Sequence, residues 1–360
     1  MSALPSLETL DPARFETAAI LKRLVSAHRA LAEFKGVAAS MPNQDILIST
    51  LGLQEAKDSS EIENIVTTHD ELFREAAQDT ATGPAAKEVA RYTRALRVGF
   101  EAVRNSGLLT GNHIVEIQAA LEENRAGIRK VPGTVLKDGA GRVVYTPPTP
   151  ERLPRLITDL ERFINDGERF AADPLVKMAL IHHQFESIHP FYDGNGRTGR
   201  ILNVLYLVKE GLLDTPVLYL SRAIVRSKAD YYRLLQDVRE RGQWEAWVEY
   251  LLGAVERTAK DGIATIQAIK AALMDYKHRI RDGYKFYSQD LINNLFSHPY
   301  TKIEFLQHDL GVSRLTATRY LDTLARDGLL RKIKVGRSNY YINEPLYRIL
   351  TGETPPAGES

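Results

Sequence analysis

His189-Pro190-Phe191-Tyr192-Asp193-Gly194-Asn195-Gly196-Arg197-Thr198-Gly199-Arg200 sets the reading of this 360-residue chain. In order it supplies a titratable base, a carboxylate, a Gly-Asn-Gly turn and two arginines. A helix opening at Pro174 and running to Ile188 leads into it, and a second over Asn195 to Lys209 leads out, so the stretch is a loop between helices. Glycines let several backbone N–H groups point the same way, and a helix start adds partial positive charge, so Gly194, Asn195 and Gly196 form an anion cradle. Arg197 and Arg200, three apart, share a helix face beside it, and guanidinium forks suit phosphate oxygens. Asp193 can hold Mg²⁺, which prefers oxygen ligands next to phosphates. His189 can take a hydroxyl proton near neutral pH. Each piece alone has a plainer reading as a loop-capping histidine, a turn or a solvated arginine pair; their order and spacing carry the functional one. Phe191 is an apolar anchor for the loop and Tyr192 a surface position.

The length allows two or three domains. A net charge of +1 gives no global attraction to nucleic acid or membrane, so any such attraction is local. The absence of cysteine removes disulfides, thiolate metal sites and Cys nucleophiles, and fits a reducing, cytoplasmic setting. The start, Met-Ser-Ala-Leu-Pro, lacks the regions of a secretory signal, and no apolar run approaches the roughly 18 residues that span a bilayer.

Helical periodicity dominates. It predicts a helix over Ala13–Phe34, with Phe15, Ala19, Leu21, Leu24, Val25 and Leu31 on its apolar face and Gly36 ending it. A further stretch follows Met41-Pro42-Asn43, and a short helix opens at Asp58-Ser59-Ser60 and runs through His69. Thr82-Gly83-Pro84 is a break before a helix over Ala85–Val103, and Asn112–Glu123 is another. Two short apolar runs around a Gly-rich turn make Val135–Tyr145 a β-hairpin. Glu151–Asn165 is helical, and Leu234, Trp244, Trp247, Tyr250 and Leu251 mark two more core helices. His182 and His183 lack zinc-type spacing and are packed or hydrogen-bonded. Toward the end, Gln289–Phe296, Lys302–Asp309 and Ser313–Asp327 read as helices. Leu329–Val335 and Ser338–Ile342 read as strands around Val335-Gly336-Arg337. Together these make a winged helix. From Gly311 to Arg337 there are seven basic residues (Arg314, Arg319, Arg326, Arg331, Lys332, Lys334 and Arg337) against Asp322 and Asp327. Two readings stand for this module: contact with DNA phosphates, and dimerisation or recruitment of a partner. The tail Thr354–Ser360 is expected to fray.

The central loop resembles the Fic family signature, His-Pro-Phe-x-Asp-Gly-Asn-Gly-Arg-x-x-Arg, at every fixed position. The resemblance covers residues 40 to 255 or so. It implies an all-α fold: a Fic-type helical bundle with a small β-hairpin flap, followed here by the winged helix. It implies transfer of AMP from ATP to a Tyr, Thr or Ser hydroxyl of a target protein or of the chain itself. His189 would deprotonate that hydroxyl and Asp193 would bind Mg²⁺. Gly194, Asn195 and Gly196 would cradle phosphates and Arg197 and Arg200 would hold the β and γ groups, with Thr198 and Gly199 counted in the ATP site between them. Tyr232 is the expected adenosine contact, with a core tyrosine as its rival, and the hairpin would align a target segment as a flap. Ser59, Glu63 and Asn64 match the family's inhibitory-helix pattern, in which Glu63 pairs with Arg200 and blocks the γ-phosphate position, making Glu63 both inhibitory and part of the ATP site. The rival reading is a capping box, Ser60-x-x-Glu63. The resulting organisation is an N-terminal helical region (1–105) with the inhibitory helix near 59–69, a catalytic core (106–260), a linker helix (261–285), the winged helix (286–350) and a tail (351–360). Other expectations are a de-AMPylating hydrolase in which Glu63 orients water, and a winged-helix DNA-binding regulator whose core only senses nucleotide. A homodimer is a further expectation; a membrane partner is not.

Overall fold

The computed structural model describes residues 4–77, 84–335 and 338–353. The expected break at Thr82-Gly83, the strand connection Gly336-Arg337, the Met1-Ser2-Ala3 start and the tail Thr354–Ser360 lie outside the described residues. Contacts divide the chain into two units. One holds residues up to Lys35 with Asp58–Asn64 and Arg91–Lys260; the other holds Gly36–Lys57, Ile65–Ala90 and residues from Asp261 on. The N-terminal region expected over 1–105 is therefore shared between them. In chain order the elements are α1 (Ala18–Ala39), α2 (Asp45–Ile62), α3 (His69–Ala76), α4 (Pro84–Ser106), α5 (Gly111–Glu122), β1 (Leu136–Lys137) and β2 (Val143–Tyr145). Then come α6 (Leu153–Asn165), α7 (Pro174–Ile188), α8 (Asn195–Lys209), α9 (Ser221–Arg226), α10 (Lys228–Arg241) and α11 (Trp244–Gly283). The last are α12 (Gln289–Ser297), β3 (Tyr300–Thr301), α13 (Ile303–Leu310), α14 (Arg314–Arg326), β4 (Arg331–Val335), β5 (Ser338–Ile342) and α15 (Glu344–Thr351).

In the first unit α7 is the central helix. Every residue from Leu175 to Ile188 is buried, the polar His182, His183 and Glu186 among them. Asp173 caps it through the Leu175 amide, with Pro174 at its first position. Helices α8 and α6 pack on it, and α5 packs on both of those. Trp247 of α11 is fully buried and donates its indole N–H to the Ala179 carbonyl at 2.8 Å. Gly99 marks where α4 comes closest to this core: a Cβ there would run into Leu205 and Ile117. That close approach offsets the roughly 0.5–1 kcal/mol a mid-helix glycine costs. The hairpin pairs Leu136 with Tyr145 and Lys137 with Val143.

The second unit contains the winged helix. Helices α12, α13 and α14 are followed by an antiparallel sheet of order β3-β5-β4. Ser288 and Ser313 cap α12 and α14 through the third amide, and left-handed Gly311 ends α13. The sheet's Tyr300 and the Tyr347 ring of α15 close on Phe73 of α3, at 6.2 and 5.7 Å between centroids. The Tyr300 hydroxyl bonds Asp70, which also pairs with Arg74.

Several sequence expectations need correction. Helix α1 starts at Ala18 because Asp11 caps a separate turn at Pro12–Phe15, and it continues past Gly36, whose backbone is not left-handed. Its buried face is Ile20, Leu24, Ala27, Leu31 and Phe34, whereas Leu21 and Val25 are 47% and 71% exposed. Asp58-Ser59-Ser60 does not open a helix; it lies in the last turns of α2, and the next helix starts only at His69. The linker helix expected over 261–285 is helical to Gly283, as the second part of the 40-residue α11 rather than a separate helix. Strand β3 and helix α15 were not expected. Of the seven counted basic residues, Arg314, Arg326, Arg331 and Lys332 are engaged by Glu304, Asp327, Glu344 and Asp322, two of them outside the counted stretch. Among the described residues no helix is long and apolar enough to cross a membrane.

Trp247→Ala removes a fully enclosed ring and leaves the Ala179 carbonyl without its donor. Urea unfolding followed by circular dichroism is expected to lose about 3–5 kcal/mol of stability.

Candidate active site

Helix α7 ends on His189, which adopts the left-handed conformation (φ 49°, ψ 60°) and closes the helix with its amide on the Phe185 carbonyl at 3.0 Å. Five residues later left-handed Gly194 (φ 77°) leads into α8, which starts at Asn195. Between them the Phe191 ring is fully buried. The Asn195 side chain grips Phe191 from both sides, accepting its N–H and donating to its C=O, each at 2.9 Å. Asn195 thus spends its amide group on holding the loop, and only its backbone is left for a cradle. No side-chain cap bond is made to the start of α8, and an uncapped helix start is an anion site; beside it the Gly194 N–H donates to Asp193 Oδ1 at 2.7 Å.

His189 is half-buried, and its Nδ1 has no hydrogen-bond partner among the described residues. Desolvation, and then the charges of Arg239 and Arg129, push its pKa down to about 4. The free value lies higher, so the folded imidazole is neutral, and able to accept a proton, from about pH 4 upward. His182 and His183 are core residues. His182 bonds the Tyr231 hydroxyl at 2.9 Å and Asn203 at 3.1 Å, and His183 bonds the Leu235 carbonyl at 3.2 Å.

Space at the start of α8 is reserved by glycines. A Cβ on Gly194 would run into Glu122, and one on Gly196 would run into Glu63 and come within 3.0 Å of Arg200 Nη1. The Gly199 site faces α7 instead: its Cβ would meet Glu186 at 2.6 Å and Phe185 at 3.1 Å. Thr198 is fully buried beside it. Burial pushes the Glu186 carboxyl up to about 7. Asp193 is 79% exposed in its side chain and stands 3.8 Å from Arg197, whose closer partner is Glu122 at 2.8 Å. Glu122 carries no motif signal; only its place at the end of α5 brings it here.

Arg200, with 2% of its side chain exposed, is met from α2. Its Nε donates to Ser59 Oγ at 2.8 Å, and its Nη2 donates to Ser59 O and to Glu63 Oε1, each at 2.9 Å. Desolvation works to raise the Glu63 carboxyl, but Arg200 outweighs it and holds it below the ordinary carboxylate range. Two further contacts hold this helix end, Arg222 on Asp58 at 3.2 Å and Lys228 on left-handed Asn64 at 2.8 Å. The capping-box reading fails because Ser60 lies inside α2 and the Glu63 amide bonds the Ser60 backbone carbonyl, as a helix end does. Tyr232 is 46% exposed on α10, next to buried Tyr231 at 5.2 Å between centroids.

Residues 108–207 match the Fic/DOC family model, residues 21–101 the Fic/DOC family N-terminal model, and residues 273–346 the model for the C-terminal domain of SoFic-like protein adenylyltransferases. The chain belongs to the Fic family. Among Fic relatives, protein adenylyltransferase fic-1 of Caenorhabditis elegans is 32% identical over 178 residues, which make up 47% of this chain and 32% of the relative. Protein adenylyltransferase Fic of Aedes aegypti is 29% identical over 158 residues, 43% of this chain and 30% of the relative. The chain thus spans about a third of the length of these curated Fic relatives. A Fic family protein from Desulfovibrio desulfuricans G20 has the same fold, with a TM-score of 0.59 at 20% identity over 92% of this chain and 98% of that one. Fic-1 of C. elegans matches with a TM-score of 0.53 at 23% identity, covering 68% of this chain and 71% of the other.

Gly196→Ala puts a methyl group where the Glu63 carboxylate lies. Hydrogen exchange read by mass spectrometry is expected to quicken across residues 58–64 in this variant, with no gain of nucleotide binding because the same methyl narrows the cradle.

Proposed function

We propose that this chain transfers AMP from ATP to a hydroxyl side chain (Tyr, Thr or Ser) of a protein target or of itself, and that Glu63 restrains the reaction. The carrying observation is a neutral imidazole, His189, at the end of one helix, with the uncapped start of α8 six residues on. Relatives named protein adenylyltransferase support it. In the step, His189 takes the proton of the hydroxyl, the hydroxyl oxygen forms a bond to the α-phosphorus, and the bond from that phosphorus to the bridging oxygen breaks, releasing pyrophosphate. Amides of Gly194, Asn195 and Gly196 and the guanidinium groups of Arg197 and Arg200 bind the phosphates. Tyr232 lies against the adenosine, while Thr198 and Gly199 serve by packing α8.

Mg²⁺ fits this donor set. Among the described residues no three ligand-type side chains cluster, and a lone exposed carboxylate beside a phosphate cradle is the protein share that Mg²⁺ usually takes. Asp193 would hold the ion, which would neutralise phosphate charge. The restraint follows from Arg200. While Glu63 and Ser59 fill its donors, a γ-phosphate has no place there. An ATP-dependent transfer suits a compartment that supplies ATP, in keeping with the cytoplasmic setting expected of a cysteine-free chain. For the winged helix, recruitment of the target or pairing with a second copy ranks ahead of DNA contact, because carboxylates already engage Arg314, Arg326, Arg331 and Lys332.

Incubation with labelled ATP and Mg²⁺ tests the reading. Glu63→Gly is expected to raise protein labelling about tenfold or more, and adding His189→Ala to lower it by about 10²–10⁴-fold. Equal labelling with and without Glu63 would remove the restraint, and labelling that survives loss of His189 would remove the base.

A further inference from the structure

Arg129 is 2% exposed, and no carboxylate pairs with it among the described residues. It stands in the segment between α5 and β1. Its backbone amide donates to the Pro190 carbonyl at 2.9 Å, its Nε donates to the His189 carbonyl at 2.9 Å, and its Nη2 donates to the Pro148 carbonyl. A buried guanidinium is costly to desolvate, so a site that keeps one uses its fixed fork for something. Here the fork spans two segments: one arm holds the left-handed residue His189 and the other holds Pro148, just past β2. A left-handed conformation at a non-glycine residue is strained and needs outside support.

The neighbouring bonds continue the pattern. The amides of Lys130 and Val131 donate to the Tyr192 hydroxyl at 2.9 and 3.3 Å. The Tyr145 hydroxyl donates to the Ser187 carbonyl at 2.9 Å, and the Arg239 guanidinium lies over the Tyr145 ring at 4.0 Å. One foot of the hairpin, residues 129–131, is therefore fastened to the loop that carries His189, and the other, residues 145–148, to the end of α7 and, through Arg129, to the same loop.

We propose that Arg129 is a positioning residue: it fixes the backbone bend that places the His189 ring and ties that bend to both feet of the β1–β2 hairpin. This rests on the AMP-transfer reading, under which the hairpin presents the target hydroxyl and His189 takes its proton. Hydroxyl and imidazole are then set by one frame, and Arg129 is the joint. Arg129 does not touch the reacting atoms. The charged groups acting on His189 are Arg239 from α10, Arg129 itself and Glu63 from the end of α2. The two arginines help keep the ring neutral.

The test uses the full chain carrying Glu63→Gly, with Arg129→Met and Arg129→Lys added separately. Two quantities are read: kcat and ATP KM for AMP transfer, and the titration midpoint of His189 by NMR, assigned by comparison with His189→Gln. Arg129→Met is expected to lower kcat by about 100-fold with ATP KM nearly unchanged, as a small misplacement of a reacting group does. The His189 midpoint is expected to rise from about 4 toward the free value. Arg129→Lys, which keeps the charge but loses the fork, is expected to hold the midpoint near its starting value and recover only part of kcat. An unchanged kcat and midpoint in a folded Arg129→Met chain would overturn the proposal, as would a fall in affinity for ATP with kcat intact. Should Arg129→Met fail to fold, Arg129→Lys decides through kcat. Should Glu63→Gly alone transfer no AMP, the proposed function fails, and the ring shift and midpoint of His189 still decide whether Arg129 positions it.

Discussion

A guanidinium shut away from water has to be met by charge and by hydrogen-bond acceptors, and Arg200 is shut away almost completely. Its demand organises the site. Ser59 Oγ, Ser59 O and Glu63 Oε1 all come from one helix end, so meeting the cation fixes the last turns of α2 against α8. Gly196 is required because its missing side chain is the space the Glu63 carboxylate fills. Arg222 and Lys228 then hold the residues on either side, Asp58 and Asn64. A phosphate would supply the same charge in the same space. The need that orders the helix end is thus the need that would bind a nucleotide.

His189 answers to the opposite requirement. Arg200 must be charged and paired, whereas the imidazole is kept neutral by desolvation and by Arg239 and Arg129. The two groups lie at opposite ends of one twelve-residue stretch, His189 at the end of α7 and Arg200 inside α8, and the loop between the helices is made rigid without regular secondary structure. Phe191 is its apolar pin and the Asn195 side chain its brace. Left-handed residues at both ends let α7 pass into α8 within six residues.

The parts of this arrangement that lie within one continuous run of sequence were legible in it. The bounds of α7 and α8 read directly, because Pro174 and the glycine turn punctuate two strongly apolar runs. The winged helix read to within about a residue or two at each helix, because Ser288 and Ser313 are strong caps. Local patterns misled where two structures share them. Apolar spacing in α1 fits two faces, and only packing chose the one with Ile20 over the one with Leu21 and Val25. Ser60-x-x-Glu63 reads as a helix start, yet it lies at a helix end. Partners from distant segments were invisible. Nothing in the spacing of Glu122 tells of Arg197, and nothing near Arg129 tells of His189. Likewise Glu304 and Glu344, which engage Arg314 and Arg331, lie outside the basic stretch that was counted.

Glu63 has the standing of a ligand that never leaves. Because it is carried on a helix end pinned at three places, its supply at Arg200 is set by geometry rather than by dose, and a short tether of this kind corresponds to an effective concentration of ~mM or more. A soluble competitor must work against that constant figure, so raising the nucleotide level is a weak lever on the site. Loosening the tether is a strong one. Any event that frees Asp58 or Asn64 from its anchor dilutes the carboxylate at once, without altering a single atom of the phosphate cradle.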